Sequence, residues 1–236
     1  MSYIDGFVLA APAANKEQYI VHARAGADLF KKLGATRLVE GWADDVPYGQ
    51  QTDFYRATKL QAGEVPLFSW VEYPDRATRM KAGEDMMNDP DVQTMSEMPF
   101  DATRMIYGGF EVINDTGAGA KPGYIDGMIS PIPIANKEAY LAAARAQAPL
   151  LIEQGALRVV DTLGDDVPPG KTTDFQRAVA TKADETIGFS FIEWPSRQIR
   201  DAAWTILMKD PRIAPAPSIW DASRSIMGGF DPVVDR

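Results

Sequence analysis

The tetrapeptide Tyr-Ile-Asp-Gly occupies residues 3–6 and occurs again at residues 124–127, 121 positions later. Several further stretches match at the same offset, which is the signature of an internal repeat. They are residues 15–17 with 136–138, 44–47 with 165–168, 52–54 with 173–175, and 68–69 with 189–190. At an offset of 120, residues 108–110 also match residues 228–230. The chain is therefore two copies of one module joined end to end.

The two copies meet in a stretch of glycine and other small residues. Residues 114–123 read Asn-Asp-Thr-Gly-Ala-Gly-Ala-Lys-Pro-Gly, a composition typical of a flexible connection. We therefore expect one module over residues 1–114, a linker over residues 115–123 and a second module over residues 124–236.

The overall composition excludes several classes of protein. With 45% hydrophobic and 24% charged residues in 236 positions, the chain is typical of a packed globular protein. The net charge of −9 argues against a nucleic-acid partner. There is no cysteine, no apolar run of membrane-spanning length and no secretory leader pattern. We expect no membrane association, and cytoplasmic residence is the default expectation.

Hydrophobic periodicity predicts the same elements in each copy. In the first copy, Asn15 is a candidate cap for a helix that Gly34 ends, and Pro74 lies near the start of a second helix. The predicted order is β-α-β-β-β-α-β. Its strands cover residues 3–10, 37–42, 53–59, 67–73 and 104–113.

The predicted strand over residues 67–73 indicates how the sheets are covered. Phe68, Trp70 and Glu72 alternate with Ser69, Val71 and Tyr73, so large side chains point to both faces. Two helices can cover only one face, and the other module's sheet is the natural cover for the second. We predict an α+β fold in which two ferredoxin-like modules with antiparallel sheets form a pseudo-dimeric α+β barrel within one chain.

Several ordered motifs carry a family resemblance. These motifs resemble those of the YbaA-like family, domain of unknown function 1428. They lie at residues 3–7, 44–47, 68–74, 98–101 and 104–110, and most of them have counterparts in the second copy. The second copy departs from the pattern at residues 218–221, and the tandem form is itself a departure. The resemblance implies a ferredoxin-like sheet of the dimeric α+β barrel superfamily. It implies no function, because the family has no established one that could be carried over to particular residues. Relatives at superfamily level include cofactor-free monooxygenases, haem-handling enzymes and small-molecule binders.

Charged residues at equivalent strand positions of both copies are the candidate ligand-binding residues. A charge in the middle of a strand needs a partner. An arginine there would hold an anion or stabilise developing negative charge, and a carboxylate would move a proton. The alternative is that these charges form internal ion pairs that fix the strand register. The candidates, with two aromatic neighbours, are Asp5, Asp126, Arg56, Arg177, Glu72, Glu193, Trp70 and Phe191.

The sequence predicts neither a metal nor a cofactor. His22 is the only histidine and its counterpart is Ala143, which excludes a histidine-based site in both copies. Asp44, Asp45 and Asp53 could offer oxygen ligands to a hard cation, but their spacing lacks an EF-hand pattern. Phosphate-binding and dinucleotide-binding fingerprints are absent from the sequence.

We expect the protein to bind a small, partly apolar organic molecule in a sheet-lined cavity, with cofactor-independent catalysis as an open extension. The alternative is a non-catalytic structural or assembly module whose strand charges are ion pairs. Whether the protein is an enzyme, and whether the tandem chain dimerises further, stay open at this point. An enclosed cavity of more than about 300 Å³ that meets Asp5, Arg56 and Glu72 would favour ligand binding. A filled barrel with paired charges would favour the alternative.

Overall fold

The computed structural model of the protein describes residues 2–89, 98–118, 120–213 and 219–236. Within these ranges each module contributes four strands. Those of the first are β1 (Tyr3–Pro12), β2 (Arg37–Asp45), β3 (Glu64–Tyr73) and β4 (Ile106–Gly117). Those of the second are β5 (Tyr124–Pro133), β6 (Arg158–Asp166), β7 (Glu185–Trp194) and β8 (Ile226–Asp235).

Three α-helices in each module complete the described elements. They are α1 (Lys16–Lys32), α2 (Phe54–Ala57) and α3 (Arg76–Asn88), followed by α4 (Lys137–Glu153), α5 (Phe175–Ala178) and α6 (Arg197–Leu207). Short 3-10 turns lie at Ala13–Asn15, Ala102–Arg104, Ile134–Asn136 and Pro211–Ile213. Gly34 and Gly155, which follow the two long helices, have φ angles of +100° and +101°. They provide the left-handed helix ends that the sequence predicts.

The described strands close into one antiparallel barrel. Their order is β1-β3-β2-β8-β5-β7-β6-β4. Two seams join the modules, since β2 pairs with β8 and β4 pairs with β6. The predicted pseudo-dimeric barrel within a single chain is therefore confirmed. At the seams, each edge strand of one module's sheet pairs with an edge strand of the other module, as the sheets of two subunits would pair in a symmetric dimer.

The interior of the barrel is filled by aromatic rings. Phe68 stacks on Phe189 with ring centroids 4.5 Å apart, and Trp70 stacks on Phe191 at 3.9 Å. Both pairs join equivalent positions of the two modules. The side chains of Val71 and other outward positions of β3 belong instead to a second core beneath the helices. The alternation predicted for this strand is thus present.

The glycine of the repeated Tyr-Ile-Asp-Gly motif makes room for these rings. A Cβ atom on Gly6 would lie 2.7 Å from the ring of Phe189, and one on Gly127 would lie 2.7 Å from the ring of Phe68. Such contacts are too close for an unstrained structure. The motif therefore has glycine at this position because the ring stack occupies the space of a side chain.

The prediction of a strand over residues 53–59 is wrong, because this segment contains the short helix α2. The Asp53 carboxylate accepts a hydrogen bond of 2.7 Å from the backbone N–H of Arg56, which is the geometry of a helix N-cap. Asp174 makes the same bond to Arg177 at the start of α5. Local capping outweighs the alternating pattern, and the element order of each module is β-α-β-α-β-α-β.

Strand β4 continues to Gly117, three residues into the segment 115–123 that we expected to be a linker. These residues pair with the start of β6, where Gly117 lies opposite Arg158. Among the described residues, none of the helices combines the length and the hydropathy that a bilayer crossing requires.

Candidate functional site

Each module has a cavity between its long helices and the outer face of the barrel. The cavity of the second module, named here the module-2 cavity, has a volume of about 270 Å³. Sheet residues from β5, β6 and β7 form its floor, and helices α4 and α6 form its walls. Its lining includes Met128, Ala144, Leu151, Val159, Ile192 and Trp204.

The cavity of the first module, the module-1 cavity, has a volume of about 250 Å³. It lies at the equivalent place, against helix α1 and strands β1, β2 and β3. Met98 and Phe100, which precede β4 in the chain, also contribute to its lining. Its apolar walls include Phe7, Leu9, Ala23, Phe30, Leu38 and Val71.

An acidic residue lies at the equivalent position of each cavity floor. In the module-1 cavity this residue is Glu40 of β2. Its Oε2 atom accepts a hydrogen bond of 2.5 Å from the hydroxyl of Tyr19 and a second from the hydroxyl of Ser69. Burial raises the pKa of Glu40, although both hydroxyls act in the opposite direction.

Asp161 of β6 is the acid of the module-2 cavity. The side-chain amide of Asn114 donates to its Oδ2 atom at 3.1 Å. The hydroxyls of Tyr140 and Ser190 lie 3.0 Å apart and bond to each other. Burial raises the pKa of Asp161 as well. Both cavities therefore combine apolar walls with a carboxyl group at the equivalent floor position, and burial makes this group bind a proton more readily than usual.

Sequence reasoning did not single out Glu40 or Asp161. A usable signal was present, because an acid stands next to a buried valine in the middle of both strands, at residues 39–40 and 160–161. The hydroxyl partners were not predictable, since Tyr19 and Ser69 belong to elements far apart in the chain.

Asp126, a candidate from the sequence, does line the module-2 cavity. Its carboxylate accepts hydrogen bonds from Arg200 Nε at 2.7 Å, from the indole of Trp204 at 2.7 Å and from the indole of Trp194 at 3.0 Å. Burial nevertheless raises its pKa. These contacts place Asp126 in a fixed network at the cavity wall.

Asp5 is the counterpart of Asp126 but does not line the module-1 cavity. It pairs with Arg79, whose Nε atom lies 2.7 Å from Oδ1. Burial raises the pKa of Asp5 to about 6 in spite of this ion pair. Copy one has Tyr73 and Gly83 where copy two has Trp194 and Trp204, so Asp5 lacks the two indole donors of Asp126.

The acidic pairs of the Asp-Asp-Val-Pro motif connect the two modules. Asp44 accepts hydrogen bonds from the hydroxyl of Tyr124 and from Arg197, and Asp45 pairs with Arg200 at 2.9 Å. At the equivalent seam, residues 165–166 bind Tyr3, Arg76 and Arg79 in the same way. Asp44 and Asp45, considered as cation ligands at the sequence level, therefore form ion pairs across a seam. Asp53, the third carboxylate considered, pairs with Arg56 of its own module.

Glu72 and Glu193 lie inside the barrel and form ion pairs with arginines of β2 and β6. Arg37 contacts Glu193 at 2.6 Å, and Arg158 contacts Glu72 at 2.8 Å. Both contacts cross between modules. Glu72 also accepts a hydrogen bond of 3.0 Å from the indole of Trp70, whereas Phe191 offers Glu193 no such donor. The Oε2 atom of Glu193 is buried and has no hydrogen-bond partner among the described residues.

Arg56 and Arg177 do not lie in strands, and the structure brings them to neither cavity. Their side chains are 55% and 54% exposed, and each pairs with the capping aspartate of its own short helix. Asp5, Arg56 and Glu72 therefore do not meet at one cavity, which is the arrangement that would favour ligand binding. Trp70 and Phe191 each border a cavity, although their rings stack inside the barrel.

His22 lies on α1, and its ring contacts the edge of Phe100 at a centroid distance of 5.8 Å. It borders the module-1 cavity. Partial burial lowers the pKa of His22, so that the neutral imidazole predominates at pH 7.

The raised pKa values predict that the fold is more stable at pH 5 than at pH 7.5. A carboxyl group whose pKa is higher in the folded than in the unfolded state stabilises the fold when protonated. That contribution is complete below the unfolded pKa and is lost as the pH rises through the folded value, which is about 6 for Asp5. We expect Asp5 alone to account for about 1 kcal/mol between these pH values. The carboxyl groups that act in this direction include Asp5, Glu40, Asp126, Asp161 and Glu193. His22, whose lowered pKa acts in the opposite direction, is a single partly buried group.

Urea unfolding followed by circular dichroism at pH 5 and pH 7.5 measures this difference. The Asp5→Asn variant should show a smaller difference than the wild-type protein. A wild-type free energy of unfolding that is equal or higher at pH 7.5 would contradict the prediction.

The comparisons with known proteins agree with the two-module organisation. The family model described as "Protein of unknown function (DUF1428)" matches twice, at residues 2–102 and 123–222. The uncharacterized protein YbaA of Escherichia coli K12 is 52% identical over 116 residues, covering 49% of this chain and 99% of that protein. YbaA of Shigella flexneri matches to the same extent. One YbaA chain therefore corresponds to one module.

Two crystal structures share the whole-chain architecture. A "putative monooxygenase" from Fusobacterium nucleatum has a TM-score of 0.62 at 6% identity, with 100% of this chain and 94% of that chain covered. Another protein of that description, from Lactobacillus acidophilus, has a TM-score of 0.57 at 8% identity, with coverages of 99% and 95%. At such identities the likeness concerns the fold alone. The chain belongs to the DUF1428 family, as a tandem duplication that builds a dimeric α+β barrel from one polypeptide.

Proposed function

We propose that the protein binds small, neutral, mostly apolar organic molecules, one in each of the two cavities. One observation carries this proposal: both modules keep a largely apolar cavity with a buried carboxyl group at the same position of its floor, Glu40 or Asp161. Protein interiors are normally densely packed, and a buried carboxyl group is costly. The occurrence of both features at equivalent places in the two modules therefore supports a binding role.

The size and chemistry of the cavities define the class of ligand. A cavity of roughly 150 Å³ accommodates benzene. Volumes of about 250 and 270 Å³ therefore suit a two-ring compound. The carboxyl group with a raised pKa can bond to a ligand hydroxyl or carbonyl group, which would fix its orientation.

The proposal differs from the sequence-based expectation in its location. The barrel interior is filled by stacked rings, and the ligand sites lie on the outer face of the sheet instead. Of the candidate residues, the proposal retains Asp126, Trp70 and Phe191. The ion pairs of Glu72 and Glu193 favour the structural role that was the alternative for those two residues.

Binding of the two-ring compound 2-tetralone tests the proposal. Isothermal titration calorimetry should show two sites per chain, with dissociation constants in the roughly micromolar to millimolar range. Ala23 and Ala144 occupy equivalent helix positions, one in each cavity wall. Ala23→Leu and Ala144→Leu should each remove one site, because the larger side chain fills the space that the ligand needs.

Ala146→Leu is the matched control, since Ala146 lies on the exposed face of α4. It should leave both sites unchanged. The absence of saturable binding to the wild-type protein would contradict the proposal. Binding that survives in the Ala23→Leu/Ala144→Leu double variant would place the ligand elsewhere and contradict it too.

A further inference from the structure

Three side chains from three separate elements meet at the floor of the module-1 cavity. Glu40 comes from β2, Tyr19 from α1 and Ser69 from β3. All three line the cavity. The two hydroxyls donate to the same carboxylate oxygen, Oε2. This arrangement fixes the orientation of the carboxylate and uses only one of its oxygens.

The second carboxylate oxygen of Glu40 is Oε1. No side chain or backbone group among the described residues donates a hydrogen bond to it. Among the described residues, Oε1 is not one of the fully buried polar atoms that lack a hydrogen-bond partner. It therefore retains contact with open space. The open space beside Glu40 is the cavity. A bound molecule could therefore reach Oε1 directly.

The two modules differ at this point because of their seams. Across the β4–β6 seam, Asp161 lies opposite Asn114, whose amide bonds to it. Across the β2–β8 seam, Glu40 lies opposite Val234, which has no side-chain donor. In addition, the tyrosine hydroxyl of module 1 bonds to the acid, whereas that of module 2 bonds to Ser190.

We propose that the module-1 cavity is a site of proton transfer on small enolisable carbonyl compounds, with Glu40 as the catalytic base and Tyr19 and Ser69 as positioning residues. This inference rests on the proposed ligand binding and adds a reaction to it. An apolar cavity with one oriented carboxylate is well suited to this chemistry. A general base is most effective when its pKa lies nearer to the working pH than that of a solvated carboxylate, and burial moves Glu40 in that direction.

The proton transfer needs no second reactant. Oε1 of Glu40 removes a proton from the carbon next to the carbonyl group, so that a C–H bond breaks and an O–H bond forms. The electron pair of the C–H bond delocalises onto the carbonyl oxygen as an enolate. Glu40 then returns the proton, either to the same carbon or to a conjugated one. Return of the proton to the same carbon leads to hydrogen exchange between the compound and the solvent, once Glu40 has exchanged its own proton with water. Return to the conjugated carbon yields an isomer.

Hydrogen–deuterium exchange of 2-tetralone in D₂O tests the inference. The wild-type protein should accelerate exchange of the hydrogens next to the carbonyl group, followed by proton NMR. Glu40→Gln keeps the size of the side chain but removes the base, and it should lower the protein-dependent rate by about 100-fold. Tyr19→Phe should lower the rate while leaving the dissociation constant for 2-tetralone within about twofold of wild type.

Glu111→Gln is the matched control, because it makes the same chemical change at an exposed position of β4. It should leave the exchange rate unchanged. Calorimetry with each variant separates binding from chemistry. If the wild-type protein binds 2-tetralone but Glu40→Gln does not slow the exchange, the catalytic inference is overturned and the binding proposal stays intact. The absence of wild-type binding overturns both.

A second variant covers the case in which Glu40→Gln does not fold. Glu40→Asp keeps the carboxylate but shortens the side chain, and should slow exchange by at least about tenfold through misplacement of the base. Exchange at the wild-type rate in this variant would overturn the inference.

Discussion

Replacement of Arg37 by methionine is expected to lower the free energy of unfolding by about 3–5 kcal/mol, the cost of leaving a buried charge without its partner. Arg37 is the residue that pairs with Glu193, whose side chain is 0% exposed. It also makes a two-point contact with Asp235, at 2.8 and 3.0 Å. Methionine retains an unbranched apolar stem like that of arginine but lacks the guanidinium group, so the loss measures charge and hydrogen bonding more than packing of the stem. Urea unfolding monitored by circular dichroism gives the value.

A second substitution isolates the buried charge. Glu193→Gln in the Arg37→Met background should restore about 2 kcal/mol, because a neutral amide costs less to bury than an unpaired carboxylate. Glu193→Gln alone should cost about 1 kcal/mol or less, since Arg37 keeps its contacts with Asp235. If the double variant were no more stable than Arg37→Met, the buried charge would not be the cause.

Arg56→Met is the matched control for this pair. Arg56 is also an arginine in an ion pair, but its side chain is 55% exposed. Exposed pairs contribute little, so the expected loss is below about 1 kcal/mol. A loss as large as that of Arg37→Met would show that burial does not decide the difference.

The second large effect is expected at the glycines of the Tyr-Ile-Asp-Gly motif. Gly6→Ala and Gly127→Ala should each lower the free energy of unfolding by about 1–3 kcal/mol through overpacking. Each new Cβ atom would lie 2.7 Å from a ring of the Phe68–Phe189 stack. The rings cannot easily move, because Phe110 and Phe230 pack against them at centroid distances of 5.1 and 5.5 Å. Thermal and urea unfolding of both variants measure the loss.

Gly83→Ala is the same chemical change, but it is expected to raise the free energy of unfolding. Gly83 lies in helix α3, and nothing lies within 4 Å of an added Cβ atom. Alanine is favoured over glycine in a helix, so this variant should be more stable by about 0.5–1 kcal/mol. Destabilisation of all three variants to the same degree would argue against a role for the ring stack.

The barrel could be predicted from local patterns because those patterns repeat. The alternation at residues 68–73 places large side chains on both faces of β3, and a duplicated module offers its own second sheet as a cover. The interior rings and the outward Ser69 and Val71 lie where this alternation places them. The segment 53–59 was wrongly predicted because a four-residue helix is too short for periodicity to identify, and the Asp53 cap decided its conformation.

The charged residues show where sequence reasoning ends. The repeat identified Glu72 and Glu193 as charges that need partners, and the structure provides them as Arg37 and Arg158. Those arginines were not identifiable from the sequence, because each belongs to the module opposite its acid. The same limit applies to Glu40, whose hydroxyl partners come from a helix and a neighbouring strand.

The sequence by itself determined the duplication, the antiparallel sheets and the closure of the barrel. The first follows from the repeated motifs, and the other two follow from the alternation of large side chains along strands that occur in both copies. Only the tertiary structure decided which acids face a cavity and which are neutralised. That outcome depends on the residues opposite each other across the seams, such as Val234 beside Glu40 and Asn114 beside Asp161. Pairing between segments so distant in the chain has no local signature, since only the closed barrel brings them together.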